Sequence, residues 1–127
     1  MHSILIKQLS QIADLDEQEV DLIKSSFKPR FLSKGAFFLR AGEVNKYVGY
    51  LQKGLARYFV YKDDEESTFE FTKEGEFVAD YQSFNNNTAS IQNIQAIEDC
   101  EMLVINYPSV QTIFNSTKNG NLISPFD

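Results

Sequence analysis

The chain has 127 residues, 43% of them hydrophobic, enough for one compact core and too few for two domains of ordinary size. A formal net charge of −6 repels polyanions, and the 12 Lys and Arg residues alternate with acids instead of forming a basic stripe, so nucleic acid is an unfavoured partner for this chain alone. Cys100 is the only cysteine and His2 the only histidine, which excludes an internal disulfide, a cysteine zinc site and a histidine-rich metal enzyme.

No general base accompanies a candidate nucleophile, so no enzyme is expected. No apolar run approaches ~18 residues and no signal-like segment opens the chain, so a cytoplasmic protein with no membrane partner is expected. Cys100 then reads as a buried structural thiol, since no cation nearby in sequence lowers its pKa. The content of 11 Phe and 6 Tyr with no Trp favours β structure.

Residues 1–26 read as helical. Their clearest signal is a capping box, with Asp16 as cap and Glu19 at the third helical position, flanked by a Leu15–Val20 staple. Val20, Ile23 and Phe27 continue an apolar stripe, and Pro29 prevents the helix from running on.

From Phe27 to Lys73, short β-branched and aromatic runs are separated by turns at Lys34-Gly35, Ala41-Gly42, Lys53-Gly54 and Asp63 to Glu66. Leu55, Arg57, Phe59 and Tyr61 fall on one strand face. Phe69 and Phe71 fall opposite Thr68, Glu70 and Thr72, and the two runs predict a hairpin.

After Gly75, VADYQSF suits one or two helical turns and Asn85 to Thr88 a loop. Two strands follow around Glu98-Asp99, and Leu103 and Ile105 alternate with Met102 and Val104 as in a strand buried on both faces. Pro108 marks the start of a short helix with Val110, Ile113 and Phe114 as its apolar stripe, and residues 117–127 read as a tail.

This order of parts resembles the sensor half of Crp/Fnr-type transcription regulators. The likeness covers about residues 15–116 and rests on KGAFFLRAGE (34–43), YLQKGLARYFV (50–60), KEGEFVADYQSF (73–84) and NIQAIEDCEMLVI (93–105). It implies a mainly β fold, an antiparallel β-barrel or jelly roll with short flanking helices. The chain divides accordingly into a single cyclic-nucleotide-binding-like domain over 1–127: a helical lead-in (1–26), the barrel (27–106), a short helix (107–116) and the tail (117–127).

The resemblance also implies a phosphate-binding cassette. In the family, amides at the start of a short helix and an arginine on the following strand hold a cyclic phosphate, while the acid of a Gly-Glu pair accepts a ribose hydroxyl. Carried onto this chain, Gly75 and Glu76, followed by Phe77 and Val78, supply the first half, and the arginine position falls at Ser90 or Ile91.

No Lys, Arg or His occurs from Phe77 to Thr117, and Arg57 or Lys73 is the only substitute cation on offer. Loss of a charge-assisted fork costs on the order of 1.5–3 kcal/mol, or about tenfold to a hundredfold in affinity. The cassette is therefore expected to be degenerate, without tight binding of cyclic AMP or cyclic GMP, and the effector to be absent, altered or non-phosphate; aromatics facing a cavity beside Gly75 would suit a neutral or weakly charged small molecule. The alternative is a ligand-free protein-interaction module on the same scaffold.

A dimerisation helix and a helix-turn-helix domain would need on the order of 70 further residues. The expectation is that DNA is reached only through a helix-turn-helix domain absent from this chain, and that a homodimer is possible through the family's long helix.

Overall fold

The computed structural model describes residues 2–116, so the expected tail lies outside the described residues. Two helices open the chain, α1 (Ser3–Ser10) and α2 (Glu17–Ser26). The capping box forms as read: the Glu19 N–H donates to Asp16 Oδ1 at 2.8 Å, and the Asp16 N–H donates to Glu19 Oε1 at 3.1 Å. Phe27 ends α2 in extended conformation, one residue before the pre-proline position Lys28, where helix is disfavoured.

The strands are β1 (Lys28–Leu32), β2 (Phe37–Leu39), β3 (Tyr47–Lys53), β4 (Leu55–Lys62), β5 (Glu65–Lys73), β6 (Phe77–Val78), β7 (Asn93–Ala96) and β8 (Cys100–Asn106). Helices α3 (Tyr81–Asn86) and α4 (Tyr107–Ser116) complete the described chain. All pairings are antiparallel, in two four-stranded sheets of order β1-β8-β3-β6 and β2-β7-β4-β5. The result is a jelly-roll-like sandwich. Among the described residues the barrel does not close, because β1, β2, β5 and β6 each pair on one side only and no ladder joins the two sheets.

The first sheet is covered on both faces. Val48, Tyr50, Leu103 and Ile105 pack against Leu5, Leu9, Ile23, Val110 and Ile113 of the helices. Cys100, Met102 and Val104 point the other way, onto Leu39, Ala56, Tyr58, Ile94 and Ala96 of the second sheet. Alternation in β8 thus separates two cores, as its sequence predicts. Cys100 is fully buried between the sheets, and desolvation pushes its thiol pKa up, which fits a structural role.

The β4–β5 hairpin forms, with a tighter turn than expected. Only Asp63 and Asp64 are outside the strands, both left-handed with φ of 53° and 66°, the conformation a two-residue hairpin turn requires. Strand β5 carries a bulge: the register steps from Tyr58↔Glu70 to Phe59↔Thr68 and leaves Phe69 over. Thr68 therefore joins Phe71 on the outer face, where its hydroxyl meets Arg57, instead of lying with Glu70 and Thr72 as strict alternation predicted. Asn85 and Asn86 also belong to α3, so the expected loop begins only at Asn87, which is left-handed.

At Gly54 φ is +109°, and an added Cβ would lie 2.6 Å from the Asp99 carbonyl oxygen. Gly54→Ala is expected to lose about 2 kcal/mol or more of stability through strain and contact, read as a lower urea midpoint with unchanged slope. Asp16→Ala, which removes the cap of α2, is expected to cost about 1 kcal/mol in the same measurement.

Candidate functional site

The six residues expected to form the cassette lie in different surroundings. Gly75, with φ of +86°, makes the turn between β5 and β6; its N–H donates to the Leu51 carbonyl at 2.8 Å and its own carbonyl accepts from Gln8 at 3.0 Å. The Glu76 carboxylate accepts from the Lys73 N–H at 2.9 Å, within that turn. Phe77 packs edge-on against Tyr50, with ring centroids 5.3 Å apart, and Val78 is buried between the sheets. Ile91 is 85% exposed. Ser90 alone sits in a buried polar cluster.

The short helix begins later than Gly75-Glu76 requires, and the acid at its start is Asp80. Asp80 caps α3 by accepting from the Ser83 N–H at 3.2 Å, and it accepts from the Ser90 hydroxyl at 2.7 Å. That hydroxyl also lies 3.0 Å from the Gln92 carbonyl oxygen, but its one proton goes to the nearer, ionised acceptor. Burial pushes the Asp80 carboxyl pKa up. Hydrogen bonds from Ser90, Ser83, Gln92 and Gln82 outweigh that, and the net shift is below the ordinary value of 3.8.

The backbone donors at the start of α3 are engaged from within. The Ala79 N–H donates to the Tyr58 hydroxyl at 3.1 Å, and the Asp80 N–H donates to Asn45 Oδ1 at 2.7 Å. The Phe84 N–H takes the Asp80 carbonyl at 2.9 Å, as in any helix. Asn45 is the pin of the cluster: its N–H donates to Ser83 Oγ at 2.8 Å, and its amide group donates to the Tyr47 carbonyl. Tyr58 and Tyr81 both stand beside the cassette; desolvation, with smaller contributions from Tyr58 and Glu70, raises the Tyr81 pKa to about 12, so both rings are neutral at pH 7.

Of the two substitute cations, Arg57 bonds elsewhere. Arg57 projects from the outer face of the second sheet, where it bonds Gln95, Thr68 and Glu66 and lies 4.0 Å from the Phe59 ring centroid. Asp80 carried a readable signal, a capping residue three positions before Ser83 at the start of a helix-like run. Asn45 and Tyr58 carried none, because their roles arise from contacts across 35 and 21 positions of chain.

Asp80→Asn leaves the caps partly intact but weakens two side-chain bonds, and is expected to cost about 1–2 kcal/mol at pH 7. The depressed pKa sets the sign: the carboxylate stabilises above the unfolded value near 4, and its contribution is lost as pH falls through the folded value. Urea midpoints of the two proteins should therefore differ at neutral pH and converge only below about pH 4.

In shape the fold matches solved structures of low sequence identity. The Thermus thermophilus catabolite activator protein has a TM-score of 0.74 and 22% identity, covering 91% of this chain and 52% of its own, so this chain spans about half its length. The N-terminal domain of a transcriptional regulator from Streptomyces coelicolor A3(2) has a TM-score of 0.73 and 14% identity, covering 88% of this chain and 80% of its own. The regulatory subunit of a cAMP-independent protein kinase A from Trypanosoma cruzi, bound to guanosine, has a TM-score of 0.73 and 16% identity, covering 87% and 40%. No curated protein matches the chain in sequence. The model of the cyclic nucleotide-binding domain matches residues 29–117, from the first strand through the cassette to α4, and the chain belongs to that family.

Proposed function

We propose that this chain is one regulatory sensor domain of a Crp/Fnr-type transcription regulator, with a cassette that does not bind cyclic AMP or cyclic GMP tightly. The observation that carries the reading is the closure of the cassette upon itself. Tyr58, Asn45 and Asp80 occupy the amide donors at positions 79, 80 and 83, and Ser90 stands on the approach to β7 where a cation would have to be. A cyclic phosphate entering there would displace three internal bonds, face the Asp80 carboxylate and gain no ion pair.

The guanosine-bound kinase subunit from Trypanosoma cruzi is a cAMP-independent protein of this fold, and guanosine carries no phosphate. A phosphate-free effector is therefore compatible with the scaffold. In the regulator, the effector acts in the cytoplasm by shifting the balance between two positions of α4, which meets α3 through Phe84 and Tyr107 at a centroid distance of 5.3 Å. In such a regulator DNA contact belongs to a helix-turn-helix module and homodimerisation to a long helix, and this domain itself performs no catalysis.

A second reading, a protein-interaction module that takes no small molecule, is favoured by the packing of the cassette aromatics. Phe84 is buried in the helix-side core, with Phe77 and Tyr81 packed against it.

Calorimetric titration tests the proposal: cyclic AMP and cyclic GMP are expected to bind more weakly than about 100 μM, and micromolar or tighter binding of either sinks it. Ser90→Arg together with Tyr58→Phe supplies a cation and frees the Ala79 amide. This double variant is expected to bind cyclic AMP at least about tenfold more tightly than the parent chain.

A further inference from the structure

An opening of about 490 Å³ lies at the edge of the sandwich, lined by Arg30 of β1, Phe38 and Leu39 of β2, and the segment from Glu43 to Tyr47. We propose that it binds a small organic anion, a carboxylate carried on a flat apolar body. The opening shares Asn45 with the cassette cluster, but its cations and apolar wall lie outside that cluster, and the proposal stands whether or not the cassette takes a nucleotide.

Arg30 is the decisive group. It pairs with Met102 across β1 and β8, and Met102 belongs to the core between the sheets, so the Arg30 side chain also starts toward that space. Its guanidinium carbon lies 4.5 Å from the Tyr47 ring centroid and 5.9 Å from that of Phe38. The two rings hold the guanidinium by cation–π attraction, which leaves its N–H edges available for a fork. Among the described residues those N–H groups have no hydrogen-bond or ion-pair partner.

The surrounding charges agree. Lys46 adds a second cation to the lining, likewise without a carboxylate within ion-pair distance among the described residues. Glu43, the acid of the lining, directs Oε1 to the Arg40 N–H at 3.0 Å in its own turn. In a chain with 18 acids and 12 bases, an opening whose two cations lack acidic partners is selective for an anion. Phe38, Leu39 and Tyr47 supply apolar wall, which a bare inorganic anion would leave unused.

The rim is also preorganised. Asn45 is held by Asp80, Ser83 and Tyr47, so a ligand meets a segment already ordered and does not bear that entropy cost.

The test uses the 15N-labelled chain, amide chemical shifts and three probes at constant ionic strength: benzoate, benzamide and acetate. Benzoate is expected to give saturable shifts at the amides of residues 30, 38 and 43–47 with affinity on the order of a few millimolar, the scale for so small a ligand. Benzamide, which has the ring without the charge, and acetate, which has the charge without the ring, are expected to bind at least about tenfold more weakly.

Arg30→Gln should weaken benzoate by about tenfold or more while shifts elsewhere stay in place, and Arg30→Lys, which keeps the charge but loses the fork, should fall between. Should Arg30→Gln fail to fold, Arg30→Lys and Lys46→Gln carry the test, each expected to weaken benzoate by about threefold. The proposal is overturned by absence of saturable shifts up to about 50 mM benzoate, by benzamide or acetate binding as tightly as benzoate, or by unaltered affinity in the Arg30 variants.

Discussion

Strand β8 must be apolar on both faces, and the whole architecture depends on that condition. Leu103 and Ile105 seal the helices onto the sheet, while Cys100, Met102 and Val104 seal the second sheet onto its other side. Two layers of packing hang on one seven-residue strand flanked by β1 and β3. Gly49 on the neighbouring strand shows how closely the inner face is filled: a Cβ there would come within 2.8 Å of Val78. The interior is thus set by close packing, where even a methyl group is felt.

The polar cluster around Asp80 solves a different problem on the same scaffold. An ionised carboxylate that is largely out of water needs either a cation or several donors. Here it has donors only, from Ser83, Ser90, Gln82 and Gln92, and Asn45 and Tyr58 engage the adjoining amides. A site that satisfies its own polar groups is rigid and has little left to offer a phosphate. The opening that holds Arg30 and Lys46 adjoins this cluster through Asn45, which belongs to both.

Much of the fold was legible because its determinants are local. The Asp16–Glu19 capping box, the alternation in β8 and the hairpin runs of β4 and β5 are patterns of period or spacing that depend on neighbours in sequence. The bulge at Phe69 was not legible, because strict alternation through STFEFTK is equally consistent with an unbroken ladder. The cassette was half legible. Ser90 lies in a buried polar cluster, while Gly75-Glu76 reads like a ligand motif and makes a turn, and Ala79-Asp80 reads like a turn and opens the helix. Only the contacts of Asn45 and Tyr58, distant in sequence, separate these cases.

The four strand edges left unshared among the described residues have a consequence for the chain in concentrated solution. Phe69 and Phe71 are more than half exposed on β5, a combination of aromatic surface and open edge that invites pairing with another molecule. Each edge carries an obstacle. Strand β1 contains Pro29, which lacks a donor; β2 and β6 are three and two residues long, too short to template a partner; and β5 combines its bulge with Glu65, Glu66 and Glu70. Protection from fibrillar, edge-to-edge growth is thus written into the strands that the jelly roll leaves open, and the aromatic outer face remains compatible with a dispersed protein.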